Sequence, residues 1–388
     1  MSQVGRSGRR RASARVRRRR RLVATIAATV LVVILVATVT IAALTRGAPA
    51  PAADSDTSTT PGPSAEPTPE PTPLTAAETL LAGTDDPNAC AVSFAGDGID
   101  QAPILQTQGT LYAGLPIPGR DGAVFAGWYA TPEDAAAFTV PARVNGSEMV
   151  VCTDRQVTLH GAWKTPEENA AEDARIPILM YHQFTTNPKG ESGWLRGNYA
   201  YIGDFDAHMN HIATGGFYLP TWDELSAFID GRLWLPNRSV IVTDDDADQT
   251  WFDLAVPVVD KYQVLSTSFM ITADRQDPAP SPYVLRRSHT HDMHQAGANG
   301  DGRITNYAVP EIIADMEASA QVLGVKEVMA YPFGHYNETA KEGLRQAGFE
   351  MARTIEPGYV TIGTDKLALP TIRINYGMGL DALVNLIG

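Results

Sequence analysis

Three aspartates stand side by side at Asp244, Asp245 and Asp246, and about forty residues later the chain runs Ser288-His289-Thr290-His291-Asp292-Met293-His294. Adjacent carboxylates repel one another unless a cation lies among them or one of them keeps its proton. One carboxylate oxygen with two imidazoles is a common donor set for a divalent metal, and it suits Zn2+ with a position left for water. Further groups that can move protons or hold a ligand occur in the same half: Tyr181-His182, Tyr331-Pro332-Phe333-Gly334 and Asn375-Tyr376-Gly377. Their chemistry is metal-assisted hydrolysis, with the ligand role open between Asp244 and Asp246.

Each of these groups comes after a short apolar run. Runs at 176–180, 239–242, 267–271, 327–330 and 371–374 read as buried strands. Amphipathic stretches at 205–214, 221–230, 253–262, 309–323 and 338–347 read as the helices between them. Such alternation over 173–388 predicts an α/β domain, either a barrel or a doubly wound sheet. In α/β barrels reactive side chains gather at the carboxyl ends of the strands, so one shared cleft is predicted.

Five pieces, in this order, resemble the polysaccharide deacetylase family (NodB homology, carbohydrate esterase 4). They are the opening over 176–182, the strand end Thr243-Asp244-Asp245-Asp246-Ala247, the pair His289-Thr290 with His294, the turn Pro332-Phe333-Gly334 followed by Tyr336-Asn337, and the ending over 369–377. The five-residue step from His289 to His294 resembles the branch acting on poly-β-1,6-N-acetylglucosamine. The resemblance implies a distorted (β/α) barrel and a divalent metal, Zn2+ first and Co2+ as the alternative, held by Asp246, His289 and His294. It also implies Asp245 as general base, His182 as general acid and the Phe333 backbone N–H as oxyanion donor. Tyr331, Pro332, Asn375 and Tyr376 would lie along the substrate. The implied activity removes N-acetyl groups from N-acetylglucosamine-type units of a cell-wall or extracellular polysaccharide. Three positions depart from the family pattern: Asp244 replaces an aromatic, Ala247 a glycine, and Ala330 the arginine that orients the base. Those departures motivate a competing reading, a catalytically silent glycan-binding surface protein. An O-acetyl esterase on the same fold is the other.

The preceding residues 78–168 hold Cys90 and Cys152, the chain's two cysteines, for which a disulfide is expected in an exported protein. Strand-like runs at 110–113, 123–126, 149–152 and 157–160 predict a small β-rich module with a spacer or binding role. Its residues 110–163, with Gly127-Trp128-Tyr129, resemble the β-grasp-like repeats of bacterial surface proteins. Residues 46–77 read as a Pro/Thr-rich disordered stalk. Residues 22–45 are 24 uncharged positions, long enough for a transmembrane helix. Ten arginines within 1–21 would keep the N-terminus in the cytoplasm and the catalytic domain outside, as a single-pass membrane protein. Secretion after signal cleavage is the alternative. The 388-residue chain carries −13 overall, but without those ten arginines 21 basic residues face 44 acidic ones. A body so acidic repels phosphates, which excludes nucleic acid as a partner.

Overall fold

The computed structural model describes residues 73–388, which fall within one compact unit. The expected head (1–21), membrane span (22–45) and nearly all of the stalk lie outside the described residues. The stalk ends earlier than the expected residue 77. Thr75 caps helix α1 (Ala76–Ala82) by accepting from the Glu78 N–H, while the Glu78 carboxylate caps Thr75 in return.

A mixed five-stranded sheet follows, built from β1 (Ala89–Ala95), β2 (Ile104–Thr107), β3 (Val124–Tyr129), β4 (Arg143–Val144) and β5 (Gln156–Lys164) in the order β2-β1-β5-β3-β4. Helices α2 (Pro132–Ala137) and α3 (Pro166–Ala171) accompany it, each capped by a threonine and opened by proline. Cys90 in β1 is joined to Cys152, with their Cα atoms 6.2 Å apart. The runs expected at 110–113 and 149–152 form no strands and meet only in a Leu111–Met149 bridge.

The remaining chain closes a parallel barrel. Strand β6 (Ile178–Tyr181) is followed by a two-stranded ribbon, β7 (Gln183–Thr185) with β8 (Tyr199–Tyr201), then by helices α4 (Ile202–Thr214) and α5 (Trp222–Ile229). Next come β9 (Ile241–Asp245), α6 (Val256–Tyr262), β10 (Ser266–Met270), β11 (Val284–Ser288), α7 (Val309–Leu323) and β12 (Val328–Ala330). Helix α8 (Glu338–Ala347), β13 (Met351–Pro357), β14 (Leu369–Arg373) and α9 (Leu380–Ile387) complete the chain. Seven strands close the barrel in the order β10-β11-β12-β13-β14-β6-β9. The barrel expected from the sequence is therefore present.

Its floor is made by α5. A capping box between Thr221 and Glu224 starts the helix, and seven of its eight residues are buried, so it is covered on every side. The Trp222 indole N–H donates to Thr267 Oγ1 at 2.9 Å inside the barrel. Residues that open the strands (Ile178, Ile241, Val328, Met351 and Leu369) share one apolar cluster with α5 and with Phe125, Trp128 and Leu159 of the small sheet. The small sheet thus packs against the amino ends of the barrel strands, opposite the mouth where their carboxyl ends lie. Phe125 N donates to Arg232 O at 3.0 Å and Trp234 N to Phe125 O at 2.8 Å, which stitches β3 to the segment after α5.

Candidate active site

Strand β9 carries Asp244 and Asp245 to the end of the barrel wall, and Asp246 follows directly after it. Alternation along a strand sends successive side chains to opposite faces. Asp244 shares its face with Val242, which packs in the helix-side cluster. Its carboxyl is fully buried there and neither oxygen has a hydrogen-bond partner. Burial first, and then the charges of Asp245, Asp246 and Asp248, push the Asp244 carboxyl well above the usual carboxylate range. Asp245 ends the strand, and the chain then turns through two left-handed residues, Asp246 (φ 74°) and Ala247 (φ 50°). A left-handed turn at residue 247 suits the glycine of the family pattern. Ala247 adopts it at a steric cost of about 1–2 kcal/mol.

That turn brings Asp246 to the two histidines. Its Oδ1 lies 3.4 Å from His289 Nε2 and 3.3 Å from His294 Nε2. One donor atom from each of the three residues falls within 4.8 Å of the others, so Asp246, and not Asp244, is the carboxylate of the cluster. His289 is fixed by its other nitrogen. Nδ1 lies 2.8 Å from the Ala330 carbonyl, which can only accept, so Nδ1 carries the proton and Nε2 presents a lone pair. Strand β11 delivers His289, and the left-handed Thr290 (φ 71°) reverses the chain toward His294. Asp315 of α7 pins this turn, accepting from His291 N at 2.7 Å and Asp292 N at 2.8 Å.

The electrostatics follow from this crowding. Burial alone would raise the Asp246 carboxyl, but the charge of the adjacent His289, with His294 and His182, holds it far below its ordinary value. Burial works against protonated His289, yet the adjacent carboxylates of Asp246 and Asp245 outweigh it and raise the imidazole. Burial, reinforced by the His289 charge, pushes His294 down to about 4. Asp246 Oδ1 is buried and has no hydrogen-bond partner in the protein. Two imidazole nitrogens and an orphaned carboxylate oxygen fit a divalent cation with an open position.

Asp245 faces the same pocket from the other side. Its Oδ2 is 3.7 Å from His182 Nε2, and its Oδ1 accepts from the guanidinium of Arg353. Arg353 lies in β13 and is fully buried; it also reaches Thr354 O at 3.1 Å and Met180 Sδ at 2.8 Å. Burial would raise Asp245, but Arg353, with His182 and His289, holds its carboxyl below the usual range. His182, just past β6, is depressed by burial, in part offset by Asp245 and Asp246. The sequence reading, which found Ala330 in place of the orienting arginine, missed Arg353. Its signal was a lone arginine inside the apolar run Phe349-Glu-Met-Ala-Arg-Thr-Ile355.

The residues expected along the substrate divide. Tyr331 and Pro332 are buried. Tyr331 stacks on Tyr336 with ring centres 5.0 Å apart and donates its hydroxyl to Leu367 O, so its side chain is part of the core rather than the cleft. Asn375 is exposed and Tyr376 half-buried at the rim after β14. Phe333 is left-handed (φ 56°) in a turn whose hydrogen bonds come from Gly334 N and His335 N, so its own N–H stays outside that ladder. Its ring is partly exposed, 4.4 Å from the His294 ring. Of the tryptophans that could meet a sugar, Trp251 is buried and Trp194 is 91% exposed.

Residues 235–352 match the family model described as polysaccharide deacetylase. The Bacillus subtilis protein YxkH is 24% identical over 221 residues, covering 53% of this chain and 73% of that one. A poly-beta-1,6-N-acetyl-D-glucosamine N-deacetylase of Staphylococcus aureus is 26% identical over 161 residues, 36% of this chain. That match spans 56% of the Staphylococcus protein's length. Among solved structures, the Streptococcus pyogenes deacetylase PplD in complex with acetate superposes with a TM-score of 0.48 at 19% identity, covering 56% of this chain and 99% of that one. The structure of IcaB from Ammonifex degensii gives 0.47 at 19% identity, with 55% and 96% covered.

Proposed function

From a chain that over residues 235–352 belongs to the polysaccharide deacetylase family, we propose a metal-dependent N-deacetylase of N-acetylglucosamine-type units in a cell-wall or extracellular polysaccharide. The observation that carries this reading is the convergence of Asp246, His289 and His294 beside the Asp245–His182 pair. The three ligand side chains would hold the cation, most fittingly Zn2+. When bound, it supplies Lewis acidity toward the acetamide carbonyl and lowers the pKa of a coordinated water.

The chain's own groups then divide the proton work. Asp245, kept ionised by Arg353, accepts at a carboxylate oxygen the proton of the attacking water. The Phe333 backbone N–H donates to the charge developing on the carbonyl oxygen. His182 gives a proton from Nε2 to the departing nitrogen, without which the amide C–N bond does not break. Water and the N-acetyl sugar become acetate and the free amine. We propose further that residues 22–45 anchor the chain with the barrel outside, where an extracellular substrate would lie, cleavage and secretion being the other route. Among the described residues no helix is long and apolar enough to cross a membrane.

The test is acetate release by the full chain, loaded with Zn2+ or Co2+, from N-acetylglucosamine oligomers. Activity should vanish with EDTA and with His289→Ala, and Asp245→Asn should lower kcat by ~100–10,000-fold. A protein that binds these glycans but releases no acetate with any metal would refute the enzyme reading. Release from O-acetylated sugars alone would replace the amide with an ester.

A further inference from the structure

The described part of the chain holds 40 acidic residues against 20 lysines and arginines, so cations have partners in excess. Most of them use one. Arg155, Arg175, Arg238 and Arg286 form no ion pair, and neither do Lys189, Arg196 and Arg373, which lie together on one stretch of the catalytic mouth. Arg373 ends β14 in register with Met180, two residues before His182, and donates to Asn198 Oδ1 at 2.5 Å. Arg196 lies with its guanidinium 4.9 Å above the Tyr376 ring and reaches the Lys189 carbonyl at 3.4 Å. Tyr376 in turn donates to Pro188 O at 2.9 Å and packs against Gly190, so the loop is bound to the rim of β14. The loop's own acid, Glu191, is engaged by the Thr185 hydroxyl. Beside these cations stands Trp194, the most exposed large apolar side chain described.

We infer that this rim, Lys189, Trp194, Arg196 and Arg373, binds an anionic glycan segment and steers the enzyme toward polysaccharides carrying carboxylate or phosphate groups near the N-acetyl unit to be cleaved. The inference rests on the deacetylase reading for the identity of the polymer. Unpaired guanidinium and ammonium groups on an otherwise acidic body focus an anion there, and planar guanidinium forks match carboxylate and phosphate oxygens. An exposed indole offers a flat apolar face to the C–H side of a sugar ring. The patch adjoins the pocket on the His182 side, so a polymer bound there extends across β6 and β14 as it enters.

Binding separates this inference from the reading it rests on. The metal-loaded full chain is titrated by calorimetry with an N-acetylglucosamine tetramer, with the alternating N-acetylglucosamine–N-acetylmuramic acid tetramer, and with a phosphodiester-linked N-acetylglucosamine oligomer. One or both acidic probes should bind ~10-fold more tightly at low salt, the preference shrinking several-fold in 0.5 M salt. Which probe wins distinguishes carboxylate from phosphate. Lys189→Glu, whose side chain makes no hydrogen bond within the protein, and the double change Arg196→Gln with Arg373→Gln should both abolish the preference while neutral-tetramer affinity stays within twofold. Equal affinity for neutral and acidic probes, or a preference untouched by Lys189→Glu, overturns the inference even if the enzyme deacetylates. Tight binding to phosphatidylglycerol vesicles without any acidic-glycan preference would also overturn it, assigning the patch to a lipid surface. A charge-dependent preference in a protein that releases no acetate would keep the inference and remove the enzyme.

Discussion

A fully buried guanidinium has to be compensated, and Arg353 finds its compensation in Asp245 and two backbone and sulfur contacts. The pairing answers the doubt raised by Ala330: the charge that the family pattern supplies from the strand before the Pro-Phe turn arrives here from the next strand of the barrel, β13. That weakens the silent-binder reading, because an idle site gains nothing from a buried ion pair that is costly to desolvate. Arg353→Met should leave Asp245 facing burial without its main counter-charge. The acid limb of kcat/KM should then move to higher pH and activity near neutrality fall ~10–100-fold. Stability follows the same sign. Asp245 is depressed in the folded protein, so its contribution is present above the ordinary aspartate value of 3.8 and fades as pH falls through the lower folded value. The variant should lose that contribution at neutral pH, about 3–5 kcal/mol for a broken buried pair, with Arg353→Lys recovering part of it. An unshifted pH profile in a folded Arg353→Met protein would show that Arg353 serves packing alone.

Strands announced by uninterrupted apolar runs were legible: β6, β9, β10, β12 and β14 each overlap an expected run. Strands β11 and β13 were not, because Arg286 and Arg287 break the first and Arg353 the second, and a charge inside a run reads as a turn until its partner is known. Arg287 pairs with Glu327 and Arg353 with Asp245, both far away in sequence. Of the site, the residue types and their order could be read, while the turn that selects Asp246 over Asp244 could not, since it depends on two left-handed residues after β9. The same holds for the five-residue step from His289 to His294. Its geometry is set by α7, whose Asp315 takes both the His291 and Asp292 N–H groups. Asp315→Ala frees those donors and lets His294 wander. Zn2+ affinity measured by competition with a chelator should fall ~10–100-fold, while the melting temperature of the metal-free protein shifts by only a few degrees. Affinity equal to that of the unchanged protein would mean the turn holds itself.

At the scale of the whole chain the small sheet belongs to the barrel rather than hanging from it. Phe125, Trp128 and Leu159 share a core with Trp222, Phe228 and Leu233 of the barrel floor. A polar knot locks the contact. Glu224 accepts from Tyr218, from Asn145 Nδ2 at 2.6 Å and from Thr221 N at 3.0 Å, and faces Arg143 Nη2 at 3.5 Å. Arg143, fully buried, also donates to Trp234 O at 2.8 Å and lies 4.4 Å over the Tyr218 ring. Cutting the chain at 173 would expose that floor and strip Glu224 of both Arg143 and Asn145. Three large apolar side chains at ~2 kcal/mol each, plus an unpaired buried carboxylate, approach the ~5–15 kcal/mol that holds a typical domain folded. Residues 173–388 alone should therefore aggregate or bind a hydrophobic dye without a cooperative melt, whereas 73–388 melts cooperatively. Reducing the Cys90–Cys152 bridge, which spans 62 residues, should destabilise 73–388 by up to about 4 kcal/mol through the looser unfolded chain. Because the sheet covers the barrel floor, at the end opposite the pocket, that destabilisation should lower the melting temperature while kcat, measured well below the melt, stays unchanged. A fragment 173–388 that melts cooperatively within a few degrees of 73–388 would separate the sheet from the barrel's stability and return it to the spacer or binding role first expected of it.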